Sequence, residues 1–171
     1  MAIRTAVVPR SVIHELRRSV LRPGLPPASA EFAEDALPGT LHLAAYEDDR
    51  PEVLACVTLF PEPLPGDDRP AHRFRGMASA PAVRGRGFGA AVLAAAARAA
   101  AGRGPRLLWC NGRAPARGFY ERHGFTVVGG EFEIEGIGPH FVFAGDVDDV
   151  DKAANRREGQ EGPEGPEGPE G

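Results

Sequence analysis

The sequence predicts a mixed α/β (α+β) fold, in which helices cover a mixed β-sheet of about seven strands. Short apolar runs of strand length are separated by turn residues and by longer segments with helical periodicity. In addition, a glycine-rich loop at 83–90 leads directly into an alanine-rich run at 91–101, as expected where a strand passes through a loop into a helix. Taken in chain order, these patterns predict the element order β-α-β-β-β-α-β-α-β-β.

Four strands and one helix are predicted in the first half of the chain. Ser11 is the predicted N-cap of a helix whose apolar residues recur at helical spacing, and the prolines at 23–27 end that helix. The following stretch, 28–37, is predicted to be irregular or loosely helical. A polar turn at 47–52 joins two strands into a hairpin, and a Pro-Gly-Asp-Asp sequence in the loop 61–70 prevents strand continuation. The predicted elements are strands at 3–8, 40–46, 53–60 and 72–79 and a helix at 12–21.

Two helices and three strands are predicted in the second half. The helix at 87–101 is rich in alanine, which predicts close packing against the sheet. Pro115 opens a further helix, because proline is favoured in the first helical turn, and Gly124 ends it near His123. The remaining predicted elements are strands at 106–110, 125–134 and 140–147, the last two joined by a turn at 135–139.

The chain divides into one predicted domain at 1–147 and a tail at 148–171. Its 171 residues are enough for one compact domain with a sizeable core and too few for two. Charged residues at 148–157 are followed by Glu-Gly-Pro repeats that run to the end of the sequence. The triplets are too few for a collagen helix. A segment with so little apolar content is predicted to be disordered.

Composition argues against several classes of function. The formal net charge is -4 and the pI is about 5.7, whereas a nucleic-acid-binding surface needs a clustered basic face. No run approaches the roughly 18 apolar residues of a membrane span and no signal peptide is evident, so we expect a cytoplasmic protein without a membrane partner. Cys56 and Cys110 lie in apolar runs and are expected to be buried thiols, with a disulfide left open. Their spacing does not suggest a metal site.

The glycine-rich loop predicts a binding site for a phosphate group. Its glycines allow close backbone approach and dihedral angles that a side chain would block. The N-terminal end of the following helix adds N–H groups without helical partners and a partial positive charge, and two arginines add full charges. This combination is typical of a pyrophosphate cradle. The residues assigned to it are Arg84, Gly85, Arg86, Gly87, Phe88, Gly89 and Ala90.

Two other nucleotide-binding loops fit this segment less well, and a purely structural turn stays open. The sequence from Gly85 to Ala90 matches the dinucleotide fingerprint, but Pro81 and Val83 place a turn before the first glycine. The acidic residue expected about 20 residues later is missing, because that position falls in the carboxylate-free stretch 107–112. The Gly-Lys-Ser/Thr sequence of an NTPase loop is absent here.

Three segments together resemble the GNAT superfamily of acyl-CoA-dependent N-acetyltransferases. The segment Arg84–Gly89 fits the pattern [Gln/Arg]-x-x-Gly-x-[Gly/Ala] and lies between a predicted strand and a long helix. The segment Ala116–Phe125 resembles the helix in that family that carries Phe-Tyr and ends in Gly-Phe, and Met77–Pro81 resembles the strand against which acetyl-CoA lies. The resemblance implies a twisted sheet that is splayed between strands 4 and 5. It also implies acyl transfer from acetyl-CoA to a primary amine.

The resemblance implies roles for individual residues. Tyr120 would protonate the departing CoA thiolate as a general acid, although packing beside its phenylalanine neighbours is the structural alternative. A backbone N–H near the end of the fourth strand, at Ala78 or Ser79, would stabilise the oxyanion. Asn111 would bond the pantetheine arm or the substrate, or else satisfy local backbone. The family often has an asparagine seven residues before the tyrosine, where this chain has Arg113. The residues assigned to this part of the cofactor site are Met77, Ala78, Ser79 and Asn111.

The general base is not fixed by any motif. Glu131 and Glu133 lie on one face of the predicted sixth strand, which forms part of the acceptor cleft in the family, although a solvated strand face explains them equally well. We assign Glu133 as the catalytic base. His72 and His140 are alternatives, with Glu131 and His42 behind them. Proton loss through a chain of water molecules would need no single base.

The expected partners are therefore acetyl-CoA, as a co-substrate, and a small-molecule or peptide amine. A catalytically silent acyl-CoA-binding protein is the second hypothesis, and the presence of Tyr120 argues against it. The sequence does not identify the acceptor amine, and it neither indicates nor excludes a homodimer.

Overall fold

A computed structural model of the chain describes residues 2–156, with side chains described up to residue 154. This part of the chain forms one seven-stranded sheet and four α-helices, which confirms the predicted mixed α/β fold. The strands are β1 (Ile3–Val8), β2 (Leu41–Glu47), β3 (Ala55–Pro61), β4 (Ala71–Ser79), β5 (Leu107–Arg113), β6 (Thr126–Ile134) and β7 (Gly138–Asp146), and the helices are α1 (Arg10–Leu21), α2 (Phe88–Gly102), α3 (Arg117–Arg122) and α4 (Val147–Arg156).

The strands pair in the order β1-β2-β3-β4-β5-β7-β6. The predicted hairpin is confirmed, because β2 pairs antiparallel with β3, as in Leu41 opposite Leu59. Strands β4 and β5 are parallel, and each of the other neighbouring pairs in the described sheet is antiparallel. This parallel pair joins the N-terminal strands β1–β4 to the C-terminal strands β5–β7. Helix α2 is the crossover connection between β4 and β5.

The sheet separates into two halves between β4 and β5. Their ladder consists of Ala71–Leu107, His72–Leu108 and Arg73–Trp109. Beyond these pairs β4 continues to Ser79 and β5 to Arg113, and neither segment pairs with the other. The predicted splay between the fourth and fifth strands is therefore confirmed. Below, "the split" denotes this gap, bounded by residues 74–79 of β4 and 110–113 of β5.

Helices cover both faces of the sheet. Helix α1 packs its buried Ile13 and Leu21 against one face, with Tyr46 of β2 and Ala78 of β4. Helices α2 and α3 lie on the other face in the largest buried cluster. The small alanines of α2 allow the backbone of that helix to approach the sheet closely, as the sequence predicts. The buried alanines of α2 are Ala94, Ala95, Ala96, Ala97 and Ala100.

Two details differ from the sequence prediction. Helix α1 begins at Arg10 with Pro9 as its N-cap and no side-chain cap, so the prediction that Ser11 caps it is wrong. Strand β5 extends past Cys110 to Arg113, because antiparallel pairing with β7 continues there. The stretch 28–37 is loosely helical as predicted, with two 3₁₀ turns, Pro27–Ala30 and Ala33–Ala36.

The prediction that disorder begins at residue 148 is also wrong. Residues 147–156 form helix α4, in which Val147, Val150 and Ala153 recur every three residues and are buried. This stripe packs with the α2 cluster, and Arg98 of α2 pairs with Asp151 at 3.4 Å. The charged composition of this segment led to the prediction of disorder, because the apolar stripe of the amphipathic helix is narrow. The predicted disorder of the Glu-Gly-Pro repeats concerns residues outside the described part.

An irregularity in β4 brings a glycine to the sheet interior. The register between β3 and β4 shifts between Cys56 and Thr58, and Gly76 lies there with φ +70°. A Cβ at this position would lie 2.7 Å from the ring of Phe32. A lone glycine within a strand is the sequence signal for such a bulge, and our strand prediction did not use it.

A buried arginine fixes the loop 27–37 over the α1 face of the sheet. The Arg17 guanidinium donates to the Asp35 carboxylate at 2.8 Å, to the Ala30 carbonyl at 2.9 Å and to the Thr58 hydroxyl. The Arg17 side chain is fully buried and the side chain of Asp35 is nearly so. Burial alone would raise the pKa of Asp35, but hydrogen bonds from Arg17 and the Phe32 amide outweigh it and lower that pKa.

Replacing Arg17 with methionine is expected to lower the free energy of unfolding by about 3–5 kcal/mol, because the Asp35 charge loses its buried partner. Urea unfolding at neutral pH measures this. Arg18→Met is the matched control on the same helix, since Arg18 forms an exposed i, i+3 pair with Glu15, and it should leave the unfolding midpoint unchanged. Equal midpoints for the two variants would contradict the assigned role of the buried pair.

Candidate active site

The predicted phosphate cradle is the N-terminal end of α2. Gly87 is the N-cap of α2 with φ +92°, and no side chain caps the helix. The helical ladder begins with the Ala91 N–H donating to the Gly87 carbonyl at 3.0 Å, so the N–H groups of residues 88–90 are not used by the helix. Gly85 has φ +81°, and both glycines therefore occupy the left-handed region that glycine tolerates. The end of α2 can thus present several N–H groups to one anion.

The two arginines of this loop differ in their surroundings. Arg86 forms an ion pair with Glu47 at the end of β2, at 3.0 Å, and its guanidinium carbon lies 5.6 Å from the centre of the Phe88 ring. Arg84 is exposed. An incoming anion would therefore compete with a carboxylate for Arg86, whereas Arg84 lies at the surface of the loop.

The end of β4 borders the split with backbone N–H groups. Met77, Ala78 and Ser79 are all buried there. The Ala80 N–H donates to the Leu54 carbonyl at 2.8 Å, on the β3 side. Because N–H groups of successive strand residues point to opposite edges, the N–H of Ser79 faces the split and that of Ala78 faces β3. Of the two oxyanion donors expected from the sequence, the geometry favours Ser79.

Tyr120 spans the split on the α2 side of the sheet. Its ring is fully buried, stacks on Phe143 of β7 with centroids 4.5 Å apart, and lies 6.3 Å from Phe74 of β4. A Cβ at Gly112 of β5 would lie only 2.6 Å from the Tyr120 ring and 2.8 Å from Phe143. The structural alternative, packing beside neighbouring phenylalanines, is therefore present, and the ring also lies at the split. Sequence reasoning missed Gly112 and Phe143, the two residues against which the Tyr120 ring packs.

Other predicted residues lie on the opposite face of β5. Asn111 and Arg113 alternate with Gly112 along the strand and lie across from Val142 and His140 of β7. Asn111 lies beyond the last β4–β5 pair, at the edge of the split, and is partly exposed.

The base candidates lie in four different environments. Glu133 and Glu131 are exposed on β6, the edge strand, which β7 separates from β5. His72 lies in the paired part of β4, away from the split, with its Nε2 3.3 Å from Arg103. His42 hydrogen-bonds through Nδ1 to the Thr58 hydroxyl at 2.9 Å. Burial lowers the pKa values of both His42 and His72. Arg103 adds to this effect at His72, whereas at His42 the Asp35 carboxylate partly opposes it.

His140 differs from the other candidates, because it lies on β7 directly opposite Arg113, the last residue of β5. Glu133 lies on β6, which is separated by β7 from the strand on which the Tyr120 ring packs, β5. His140 lies on β7, the direct neighbour of β5.

Comparison with known proteins places this arrangement in a family. The family model described as "Acetyltransferase (GNAT) domain" matches residues 38–127, which run from β2 through the cradle and Tyr120 to the start of β6. The chain belongs to the GNAT acetyltransferase family. YitI of Bacillus subtilis (strain 168), an uncharacterized N-acetyltransferase, is 31% identical over 129 residues, covering 75% of this chain and 86% of YitI.

Solved structures share the GNAT fold of this chain. An acyl-CoA N-acyltransferase from Pseudomonas aeruginosa superposes with a TM-score of 0.65 at 20% identity, covering 84% of this chain and 99% of the other. A structure of the NatC complex bound to Gag peptide and CoA gives a TM-score of 0.66 at 14% identity, covering 85% of this chain and 99% of the matched one. At these identities the likeness concerns the fold alone.

Cys56 and Cys110 are buried thiols, as predicted. Within residues 2–156, no group of three or more His, Cys, Asp or Glu side chains is arranged to hold a metal ion, and no helix has the length and apolar character needed to span a membrane. A cavity of about 520 Å³, lined by Arg69, Arg103 and Arg106 among others, lies at the paired end of β4 and β5, away from the split.

Proposed function

We propose that this GNAT protein transfers the acetyl group of acetyl-CoA to a primary amine within a ternary complex. The observation that carries the proposal is the split between β4 and β5, which is bordered by an uncapped α2 N-terminus and spanned by Tyr120. An acyl-CoA fits these residues, since it needs a polar cradle for its pyrophosphate and strand edges that can bond its pantetheine amides. The CoA bound in the NatC complex, on the same fold, supports this choice of co-substrate.

The cofactor site would comprise two groups of residues. Backbone N–H groups of Gly85 and of residues 87–90 would hold the pyrophosphate, with Arg84 and Arg86 adding positive charge. The edges of β4 and β5, at Met77–Ser79 and Asn111, would receive the pantetheine arm.

The transfer would proceed in one displacement. The amine nitrogen forms a bond to the thioester carbonyl carbon, which becomes tetrahedral as the C=O electron pair moves to oxygen, and the return of that pair breaks the C–S bond. The Ser79 N–H stabilises the negative charge on the carbonyl oxygen. The Tyr120 hydroxyl gives its proton to the sulfur, and the amine loses one proton to a base. Tyrosine suits the acid role, because a phenol with an ordinary pKa of about 10 is protonated at neutral pH.

An alternative is an acyl-CoA-binding protein without catalysis. The burial of Tyr120 under Phe143 favours this reading if the ring never contacts a thioester. Binding assays and turnover assays separate the two possibilities.

The test is thiol release from acetyl-CoA, measured with a panel of primary amines that includes amino acids, polyamines and peptide N-termini. We expect thiol release that depends on an amine, with the acetylated amine identified by mass spectrometry. Binding of acetyl-CoA without release for any amine would favour the silent alternative. Thiol release without an acetylated amine would contradict transfer.

A further inference from the structure

His140 is buried with one ring nitrogen fixed by the backbone. Its Nδ1 lies 2.8 Å from the Gly138 carbonyl oxygen. A carbonyl only accepts a hydrogen bond, so Nδ1 carries the proton and, in the neutral ring, Nε2 carries the lone pair. The side chain is fully buried, and Nε2 has no hydrogen-bond partner among the described residues. A buried acceptor without a partner is costly, which marks this atom as one that a ligand could satisfy.

His140 and Tyr120 lie on opposite faces of the same two strands. His140 pairs with Arg113, whereas Tyr120 packs on Gly112 and Phe143. Side chains of adjacent strand residues alternate between faces, so the imidazole lies on the Asn111–Arg113 face and the phenol on the other. An acceptor that approaches the split from the imidazole face would have its nitrogen and the departing sulfur on different sides of the acyl carbon.

We propose that His140 Nε2 is the general base that removes the proton from the acceptor amine. This rests on the proposed acetyl transfer. Nε2 takes one proton from the ammonium form of the acceptor, which frees the nitrogen lone pair to form the bond to the acyl carbon. The C–S electron pair goes to sulfur, which takes the proton of Tyr120. The second proton lost by the nitrogen returns to the phenolate and the imidazolium loses its proton to solvent, so both groups return to their starting states.

Two residues face His140 from the neighbouring strands. The residue directly across on β5 is Arg113, a cation, and the residue across on β6 is the neutral Phe132, whose ring centre lies 5.9 Å from the imidazole. Glu133 pairs with Pro139 and therefore lies on the other face of β6. The 3₁₀ turn Ala114–Ala116 that contacts β7 carries no charged side chain, and α4 contacts β7 near its far end. Our assignment of Glu133 as the base is thus replaced by His140 in this proposal.

The test is His140→Asn, because an asparagine amide can still donate to the Gly138 carbonyl but offers no basic nitrogen at the Nε2 position. We expect kcat/KM for the amine to fall about 100-fold near neutral pH, a typical contribution of a general base. The dissociation constant for acetyl-CoA should not change. The loss should shrink as pH rises, because more of the amine is then deprotonated in solution. The matched control is His14→Asn, the same substitution at a histidine of α1 whose Nδ1 lies 3.0 Å from Arg10 of the same helix, and it should retain wild-type kinetics.

Nitrogen-15 NMR of the wild-type protein gives a readout independent of activity, and it should show the Nδ1–H tautomer at His140. An unchanged pH–rate profile in His140→Asn, with acetyl transfer intact in the wild type, would overturn the role of His140 and leave the proposed function standing. Absence of acetyl transfer in the wild type would overturn both. An equal loss in His14→Asn would show that the effect is not specific to His140 and would contradict the proposal.

Discussion

Replacing Tyr120 with phenylalanine is expected to lower kcat by about 10²–10⁴-fold, the usual contribution of a positioned general acid. The substitution preserves the ring that stacks on Phe143 and packs near Phe74, so the fold and the affinity for acetyl-CoA should be unchanged. Without the phenol, the thiolate must depart unprotonated or take its proton from water. Steady-state thiol release and calorimetric titration with acetyl-CoA measure the two quantities separately.

Tyr46→Phe is the matched control, because Tyr46 is the other tyrosine of the chain and is buried against α1, away from the α2 side of the split. It should not change kcat. A large loss of acetyl-CoA affinity in Tyr120→Phe with intact turnover would contradict the general-acid role and support a role in packing alone.

Replacing Gly87 with leucine is expected to weaken acetyl-CoA binding by at least about 100-fold, since the cradle depends on bare backbone at the helix N-terminus. A Cβ at Gly87 would meet only the Ile3 side chain, at 3.7 Å, so the protein interior has room for it. The left-handed backbone, with φ +92°, adds a conformational cost of about 1–2 kcal/mol. Calorimetry with acetyl-CoA measures the affinity, and thermal unfolding measures the strain.

Gly66→Leu separates these two effects. Gly66 has φ +82° and nothing within 4 Å of its Cβ position, so leucine there should produce similar strain without touching the cradle. We expect similar melting temperatures for the two variants and wild-type affinity in Gly66→Leu alone. Retained acetyl-CoA binding in Gly87→Leu would show that the loop is only a turn.

Much of the fold could be predicted because local patterns and tertiary packing agree. The glycine loop followed by an alanine-rich helix specifies the β4–loop–α2 unit, and polar turns specify the hairpin β2–β3. The split was predicted from the family resemblance, because no local signal reports where two parallel strands part. Helix α4 was missed because its apolar stripe is only Val147, Val150 and Ala153 within a charged segment.

The site could be predicted only as far as motifs extend. The cradle is predicted from the residues of one contiguous segment, and the role of Tyr120 is predicted from the family resemblance of a second. The relation of His140 to them depends on the pairing of β7 with both β5 and β6, which joins residues distant in the chain. Likewise, the close contacts that require Gly112 and Gly76 arise only once aromatic rings from other elements pack on them.

The central claim is that the split and the α2 N-terminus bind an acyl-CoA, and calorimetric titration of the purified protein with acetyl-CoA tests it most directly. A parallel titration with NAD controls for dinucleotide binding. We expect micromolar binding of acetyl-CoA and none of NAD. Absence of acetyl-CoA binding, or binding of NAD in its place, would contradict the assignment of the cradle and of the site residues that depend on it.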